Sequence, residues 1–445
     1  MGIYQHRHPF YHWACQSWFS KPRLCAWFLA LILPFLGLWY YSGQLPTLSK
    51  DPMAYAYVMA SDPDTDQAYV HRLDRKTGTL IQRIRAPLDF DKLSLAANGD
   101  LFLTAITHNM AYQNTVYWLP FGKSKLSPAF RTQEYGPSHV YLIQDTCYVF
   151  TGQNRVGPIY IEQYAYPDFT FQTATLIDPF SMLLDGIVWT GTQFWGSARD
   201  YDSFGDPIAD AIFSFDPSRQ SLDRSGHHIP NIEYVTTMAY AKDRHSVFTG
   251  AYLKPEQIQH PGPKSSCYPC RDKSLDPSSD HSRRELAQRW ASQSSSQTHE
   301  AKSTTWNSQV LELSIPDGQQ IRSWDLMSER IPIKEMDHYQ GLSPPFFPSD
   351  FQPMDLLLVP SVGKLYIISY MVTVIDLTNN QPLYHLPIHA QFMGLLDDAT
   401  LAISFTKISN DRPDDTAPFS GLMILDARSD DILNVIEGHF GPLSR

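Results

Sequence analysis

The sequence predicts an all-β chain, a β-propeller of seven four-stranded blades closed by strands from both termini, behind one N-terminal transmembrane helix. Three observations predict it. A short apolar strand ending in small residues recurs, its early copies about 44 to 52 residues apart, close to the period of a four-stranded blade. A second strand follows most copies and runs into Asp and a turn. The composition, 13% aromatic with 33 prolines in 445 residues, suits a turn-rich β chain better than a helical one. Six or eight blades, or a pair of β-sandwiches, are the competing architectures.

The chain opens with a tail, residues 1–23, followed by Leu24–Tyr41, eighteen residues without a charge. That length reaches the minimum for a bilayer core. Trp27, Trp39, Tyr40 and Tyr41 lie near its ends, where amphipathic rings favour the headgroup region. Arg7, Lys21 and Arg23 precede it, and only Lys50 is basic in the next stretch, so the N-terminus is expected in the cytoplasm. No small-x-small site follows the apolar run, which favours an uncleaved signal anchor over a removed signal peptide. The expected organisation is a cytoplasmic tail 1–23, anchor 24–41, linker 42–52 and propeller 53–445. The ring would then lie outside the cytoplasm, in the periplasm if the source is bacterial, with lipid contacted through 24–41.

The repeating strand reads Tyr57–Ser61, Leu101–Ala105, Tyr148–Gly152, Phe194–Ala198, Val247–Gly250, Leu365–Ser369 and Leu401–Ser404. Its follower reads Val70–Asp74, Ile212–Asp216, Val310–Leu313, Val374–Asp376 and Met423–Asp426. Period-two alternation ending in Asp, Asn or Gly marks a hairpin. Apolar innermost strands precede the repeat at Lys92–Leu95, His139–Leu142, Gly186–Trp189 and Asp355–Leu358. Six full units fit between Leu88 and Gly438. Residues 53–85 supply three strands without an innermost one, and 439–445 are placed to supply it, a closure that would remove the sheet edge.

The stretch Val70-His-Arg-Leu-Asp-Arg-Lys-Thr-Gly-Thr-Leu80 resembles the strand-Asp-x-x-Thr-Gly-strand core of the propeller superfamily that includes quinoprotein-like and YVTN/NHL-type repeats. The other copies are degenerate, so the resemblance selects a fold and no single family. It implies a rigid ring of a kind used by dehydrogenases, lactonases and assembly scaffolds alike.

Residues 253–305 interrupt the repeat with a polar, serine-rich insertion, inside which Ser282–Ser292 has the N-cap pattern of a short helix. A second insertion, Met336–Phe351, is rich in Pro and Phe and reads as a plug over one ring face. The CYPC pair, Cys267 and Cys270, is expected to form a local disulfide outside the cytoplasm. A zinc site with His260, His281 or His299, and free thiols, are the alternatives. Cys147 reads as a small buried apolar residue.

Aligning the innermost strands puts Lys92, His139, Asp185 and Asp355 at equivalent positions, a partial polar collar at the channel mouth. Two carboxylates and an imidazole suit a divalent cation or acid–base work, with Asp185 and Asp355 as the metal candidates. A wet channel in an inert ring would carry the same collar. No cofactor is expected beyond that cation. The chain lacks G-x-S-x-G, H-E-x-x-H and G-x-x-x-x-G-K-[ST]. With Lys+Arg 35 against Asp+Glu 46, nucleic acid is disfavoured as a partner. The reading that follows is a membrane-anchored scaffold or accessory subunit with an unnamed protein partner, and it points away from an enzyme. The alternatives are a metal-assisted hydrolase or lactonase at the channel, and a sensor of small molecules or glycans.

Overall fold

The computed structural model describes residues 49–62, 64–65, 67–105, 114–134, 136–152, 157–201, 207–223, 232–253, 307–326, 331–334, 353–369, 371–406 and 420–444. Residues 52–445 form one compact unit. The described part is all β, apart from short 3-10 turns. Among the described residues no helix is long and apolar enough to cross a membrane. The expected anchor 24–41, the CYPC pair and both insertions lie outside them.

Strands β1 (Tyr55–Asp62), β2 (Gln67–Asp74) and β3 (Leu80–Arg85) open the first sheet. The second is β4 (Lys92–Leu95), β5 (Leu101–Thr104), β6 (Thr115–Leu119) and β7 (Ser127–Arg131). The third has seven strands: β8 (Val140–Ile143), β9 (Thr146–Phe150), β10 (Gly157–Ala165), β11 (Thr170–Trp189), β12 (Phe194–Tyr201), β13 (Pro207–Asp216) and β14 (Ser221–Asp223). The fourth is β15 (Ile232–Ala241), β16 (Ser246–Leu253), β17 (Asn307–Ser314) and β18 (Gln320–Asp325). The fifth is β19 (Asp355–Val359), β20 (Lys364–Ile368), β21 (Val372–Asp376) and β22 (Gln381–Leu386). The sixth is β23 (Ala390–Leu395), β24 (Thr400–Thr406), β25 (Ser420–Asp426) and β26 (Asp431–Glu437). All pair as antiparallel meanders. The last strand, β27 (His439–Leu443), returns to the first sheet and pairs with β1, Val58 opposite Leu443 and Ala60 opposite Phe440. The closure by both ends of the chain is therefore as the sequence suggests.

One feature was not foreseen. The 20-residue β11 serves two meanders. Its first half pairs with β10 up to Ser181, and its second half pairs with β12 from Ser181 to Trp189. The sequence reading placed only the innermost strand Gly186–Trp189 in this segment. The strand instead runs from Thr170 to Trp189 and pairs across several register shifts.

The core lies between consecutive sheets. Phe102 and Val116 pack on Val140, Val149 and Tyr164. Trp195 and Ile212 pack on Val247 and Leu311. Val374 and Leu386 meet Met423 and Leu425, and Ala402 and Leu422 meet Val58 and Phe440. Cys147 is one of these apolar residues, and burial pushes its thiol up to about 12.

The antiparallel order gives the ring two unlike faces. Outside the first sheet, tight turns join the first to second and the third to fourth strands of each meander, all on one face, and the β2–β3 turn of the first sheet lies there too. The Asp that ends the third strand makes the turn: Asp74, Asp216 and Asp376 each accept backbone N–H bonds from residues two and three ahead. The residue four ahead of the first then takes positive φ, as at Gly78, Gln220, Asn380 and Asp430. Glycine or a short polar residue adopts that conformation at least cost.

At Gln220, Asn380 and Asp430 the side chain of that residue clasps the preceding meander. Gln220 bonds Gln163 at 3.1 Å. Asn380 accepts from Arg244, whose guanidinium is bidentate to buried Glu312 at 2.8 and 3.0 Å. Asp430 accepts from Tyr366 at 2.6 Å, from Tyr384, from Lys364 at 3.1 Å and from Lys334 at 3.2 Å. Tyr166, in the β10–β11 turn, donates to Asp100 of the second sheet at 2.6 Å. Lys123, in the β6–β7 turn, accepts through its carbonyl from buried Arg72 at 2.7 Å.

Two imidazoles are buried inside this framework. His71 meets the ring of Phe440 edge-on, centroids 5.8 Å apart, on the closing strand. His385 lies 2.9 Å from the hydroxyl of Thr373 through Nδ1, and its backbone pairs with Pro332 and Lys334. Burial pushes both down to about 4, helped at His71 by Arg83. The unfolded chain takes up these protons near 6.5 and the folded chain only near 4. Stability is thus fully present above pH 6.5 and is lost as the pH falls from there toward 4. A urea midpoint measured at pH 7.5 should exceed that at pH 5. In the His71→Gln/His385→Gln variant the difference should shrink; an unchanged pH slope would refute the assignment.

Candidate functional site

The innermost strands surround a cavity of about 550 Å³. Seven segments line it: 91–97, 139–142, 187–189, 237–238, 354–355, 391–393 and 442–443. Each innermost strand begins at the face opposite the tight turns. The strand starts therefore place Asp91, Lys92, His139, Asp355 and Gln391 at one mouth. Leu95, Ala97, Leu142 and Trp189 follow toward the tight-turn face. The cavity is thus polar at one end and apolar at the other.

Three of the four expected collar residues, Lys92, His139 and Asp355, share this cavity. Asp185 lies in β11 within the pairing irregularity between Leu183 and Ile187, and its side chain is outside the described set. The Asp355 carboxylate accepts the N–H of Leu356 at 2.9 Å. The His139 ring is near-parallel to Tyr141, 6.4 Å between centroids, and its Nδ1 stands 3.3 Å from Ser138 Oγ. That Ser–His contact is not a nucleophile–base pair: Ser138 is fully buried and its hydroxyl donates to the Phe150 carbonyl at 3.3 Å. Tyr141 donates to the Ile187 carbonyl at 2.8 Å, and Val140 N–H to Ser94 at 3.3 Å, so polar bonds hold neighbouring wall strands together. Among the described residues no group of three or more His, Cys, Asp or Glu could hold a metal ion.

A second cavity of about 320 Å³ opens beside the polar mouth and shares Asp91, Gln391, Phe392 and Pro442 with the first. It sits on the closing seam. Its walls come from the end of β1, the 89–91 segment, the facing ends of β23, β24 and β25, and the start of β27. Sequence reading missed it, because its residues are up to about 380 positions apart and become neighbours only when the ring closes. Gly441 was a signal: a Cβ there would lie 3.1 Å from Met59, so the small residue lets β27 approach β1.

No family model matches the chain, and no curated protein matches it. Solved structures do align along most of its length. The hydrazine synthase of Kuenenia stuttgartiensis aligns at 10% identity and TM-score 0.48, over 86% of this chain and 98% of that one. The dihydro-heme d1 dehydrogenase NirN aligns at 9% and 0.49, over 89% and 76%. A hypothetical selenium-binding protein from Sulfolobus tokodaii aligns at 9% and 0.49, over 89% and 96%. Nothing about this chain's chemistry follows from likeness at that level.

Proposed function

We propose that the chain is a membrane-tethered, seven-bladed propeller that presents one face to a protein partner outside the cytoplasm, as a scaffold or accessory subunit. Counting seven blades divides the seven-stranded sheet at Ser181, where β11 changes partner. The two faces of the ring carry the proposal. The chain comes to the ring at the tight-turn face: Ala54 accepts the Arg75 N–H at 3.0 Å, and Pro52 lies against the Gly99 turn. Every long connection, including those after Leu253 and Thr406, leaves from the opposite face. A tether reaching Pro52 from an anchor at 24–41 would hold the tight turns toward the membrane and turn the long connections outward.

In-cell photocrosslinking of the full chain tests this. A crosslinking residue at Asp89 or His439, on the outward face, should give one recurring adduct whose partner is the same from both positions. Lys76 and Asn379, on the tight-turn face, should not give it. Equal capture from both faces, or labelling of Lys76→Cys by an impermeant thiol reagent only after cell lysis, would overturn it.

A second reading, a metal-assisted hydrolase or a small-molecule sensor at the channel, draws on Lys92, His139 and Asp355 sharing one cavity. It requires a stoichiometric divalent ion, or a bound small molecule, that is lost in the Asp185→Ala/Asp355→Ala variant.

A further inference from the structure

We propose that the seam cavity is a binding site for a small organic cation with an apolar envelope, of the trimethylammonium type. The inference rests on the cavity alone and is independent of any membrane or partner reading. Four phenylalanines belong to its lining: Phe90, Phe392, Phe405 and Phe440. Three of these rings are fixed by packing. Phe90 is buried edge-on against Tyr117 at 5.1 Å, Phe440 against His71, and Phe405 lies over Gly421, which has no Cβ to displace it. Rings already held in place lose little freedom when a ligand arrives. Aromatic faces carry negative quadrupole potential and attract cations, and quaternary ammonium groups are taken by such walls.

The charge has the matching sign. Asp89 and Asp91 flank Phe90, both exposed, so their carboxylates lie at the rim while the ring between them is buried. Among the described residues no Lys or Arg lines this cavity, and the other titratable group there is exposed His439, whose Nδ1 is 3.1 Å from Ser420 Oγ. Lys92 lines the neighbouring cavity instead. The volume of about 320 Å³ falls at the small end of ligand pockets. A bare metal ion fits this donor set poorly, since hard cations want six or more oxygen ligands. An apolar-coated cation can use both the walls and the rim.

Because strands from both ends of the chain build the walls, an occupant binds only the closed ring and stabilises it by mass action. The test uses the full chain in detergent, with choline as the probe and 3,3-dimethylbutan-1-ol as its uncharged isostere. Titration calorimetry and thermal melting should both report choline binding, and the alcohol should bind about tenfold more weakly or not at all. Asp89→Asn/Asp91→Asn should lower choline affinity roughly tenfold by calorimetry at a temperature where the variant's ligand-free melting curve shows it folded. Phe392→Leu keeps the bulk, removes a ring, and should weaken choline but not the alcohol. Equal binding of the two probes, choline affinity unchanged in both variants, no melting shift with saturating choline, or displacement of choline by millimolar calcium would each overturn the proposal.

Discussion

Truncation before His439 is expected to lower the folding free energy of the ring by about 6–9 kcal/mol, close to the whole stability of an ordinary domain. The lost strand buries Phe440 and Leu443 against Ala402, Leu422 and Val58. Each such side chain contributes roughly 1.5–3 kcal/mol by burial. The strand also closes three polar bonds: Tyr57 N–H to Ser444 Oγ at 3.0 Å, Ser444 N–H to the Tyr57 carbonyl at 2.8 Å, and Ser404 Oγ to the Phe440 carbonyl at 2.7 Å. Each is worth about 1 kcal/mol net. Its removal would also bare the backbone edge of β1, an invitation to pair with another chain. Urea unfolding followed by tryptophan fluorescence gives the measurement, and light scattering reports the exposed edge. Leu443→Ala offers a milder version, about 2–5 kcal/mol. A truncated chain with an unshifted midpoint would mean that the terminal pairing does not hold the ring shut.

Asp430→Ala is expected to cost about 3–5 kcal/mol, the scale for breaking a buried ion pair. Asp430 is 3% exposed and satisfies two tyrosine hydroxyls and two ammonium groups from the fifth sheet and the 331–334 segment. Alanine would leave Lys364 without its carboxylate and would also have to adopt positive φ. Asp430→Asn tolerates that backbone and keeps one acceptor oxygen of the two that the tyrosines use, so its loss should be smaller, about 2 kcal/mol. Burial alone would raise the carboxyl's pKa, but Tyr366, Tyr384 and Lys364 outweigh it and the net direction is down. The stability it supplies is therefore present above its ordinary value near 4 and lost only as the pH falls through the depressed one. It stays ionised while His71 and His385 titrate, which separates the two effects in a pH series. Denaturant midpoints for Ala and Asn at pH 7 are the check; equal, small losses would refute the clasp.

Local signals were the legible part. Period two, the Asp-led turns and the leftover strands at 53–85 and 439–445 lie in contiguous residues, so the strand order and the closure could be read directly. The clasps could not. Asp430 lies in Asp426-Ala-Arg-Ser-Asp-Asp, where a run of polar residues looks like an exposed turn, and only the neighbouring meander buries it. Arg72 and Glu312 sit in strands whose alternation suggests an outward polar face, yet both are buried between sheets. That Lys92, His139 and Asp355 come to one cavity was legible because strand starts align in a regular repeat. The seam cavity was not, since no local pattern encodes which distant loops meet.

The clasps have a direction, and it bears on how the chain is made. Lys123 caps Arg72, Tyr166 caps Asp100, Asn380 caps Arg244 and Asp430 caps Tyr366; in each case the later segment secures the earlier one. As the polypeptide is synthesised from its N-terminus, each of these four groups waits for a later segment before it is capped. Assembly would proceed as a ratchet around the circle, with the newest edge always raw. β27, the strand beside β1, is made after all of these segments, so the circle can lock only once it has emerged. Until then the unfinished ring offers strand edges at both ends, and this interval is when it most needs protection from its neighbours.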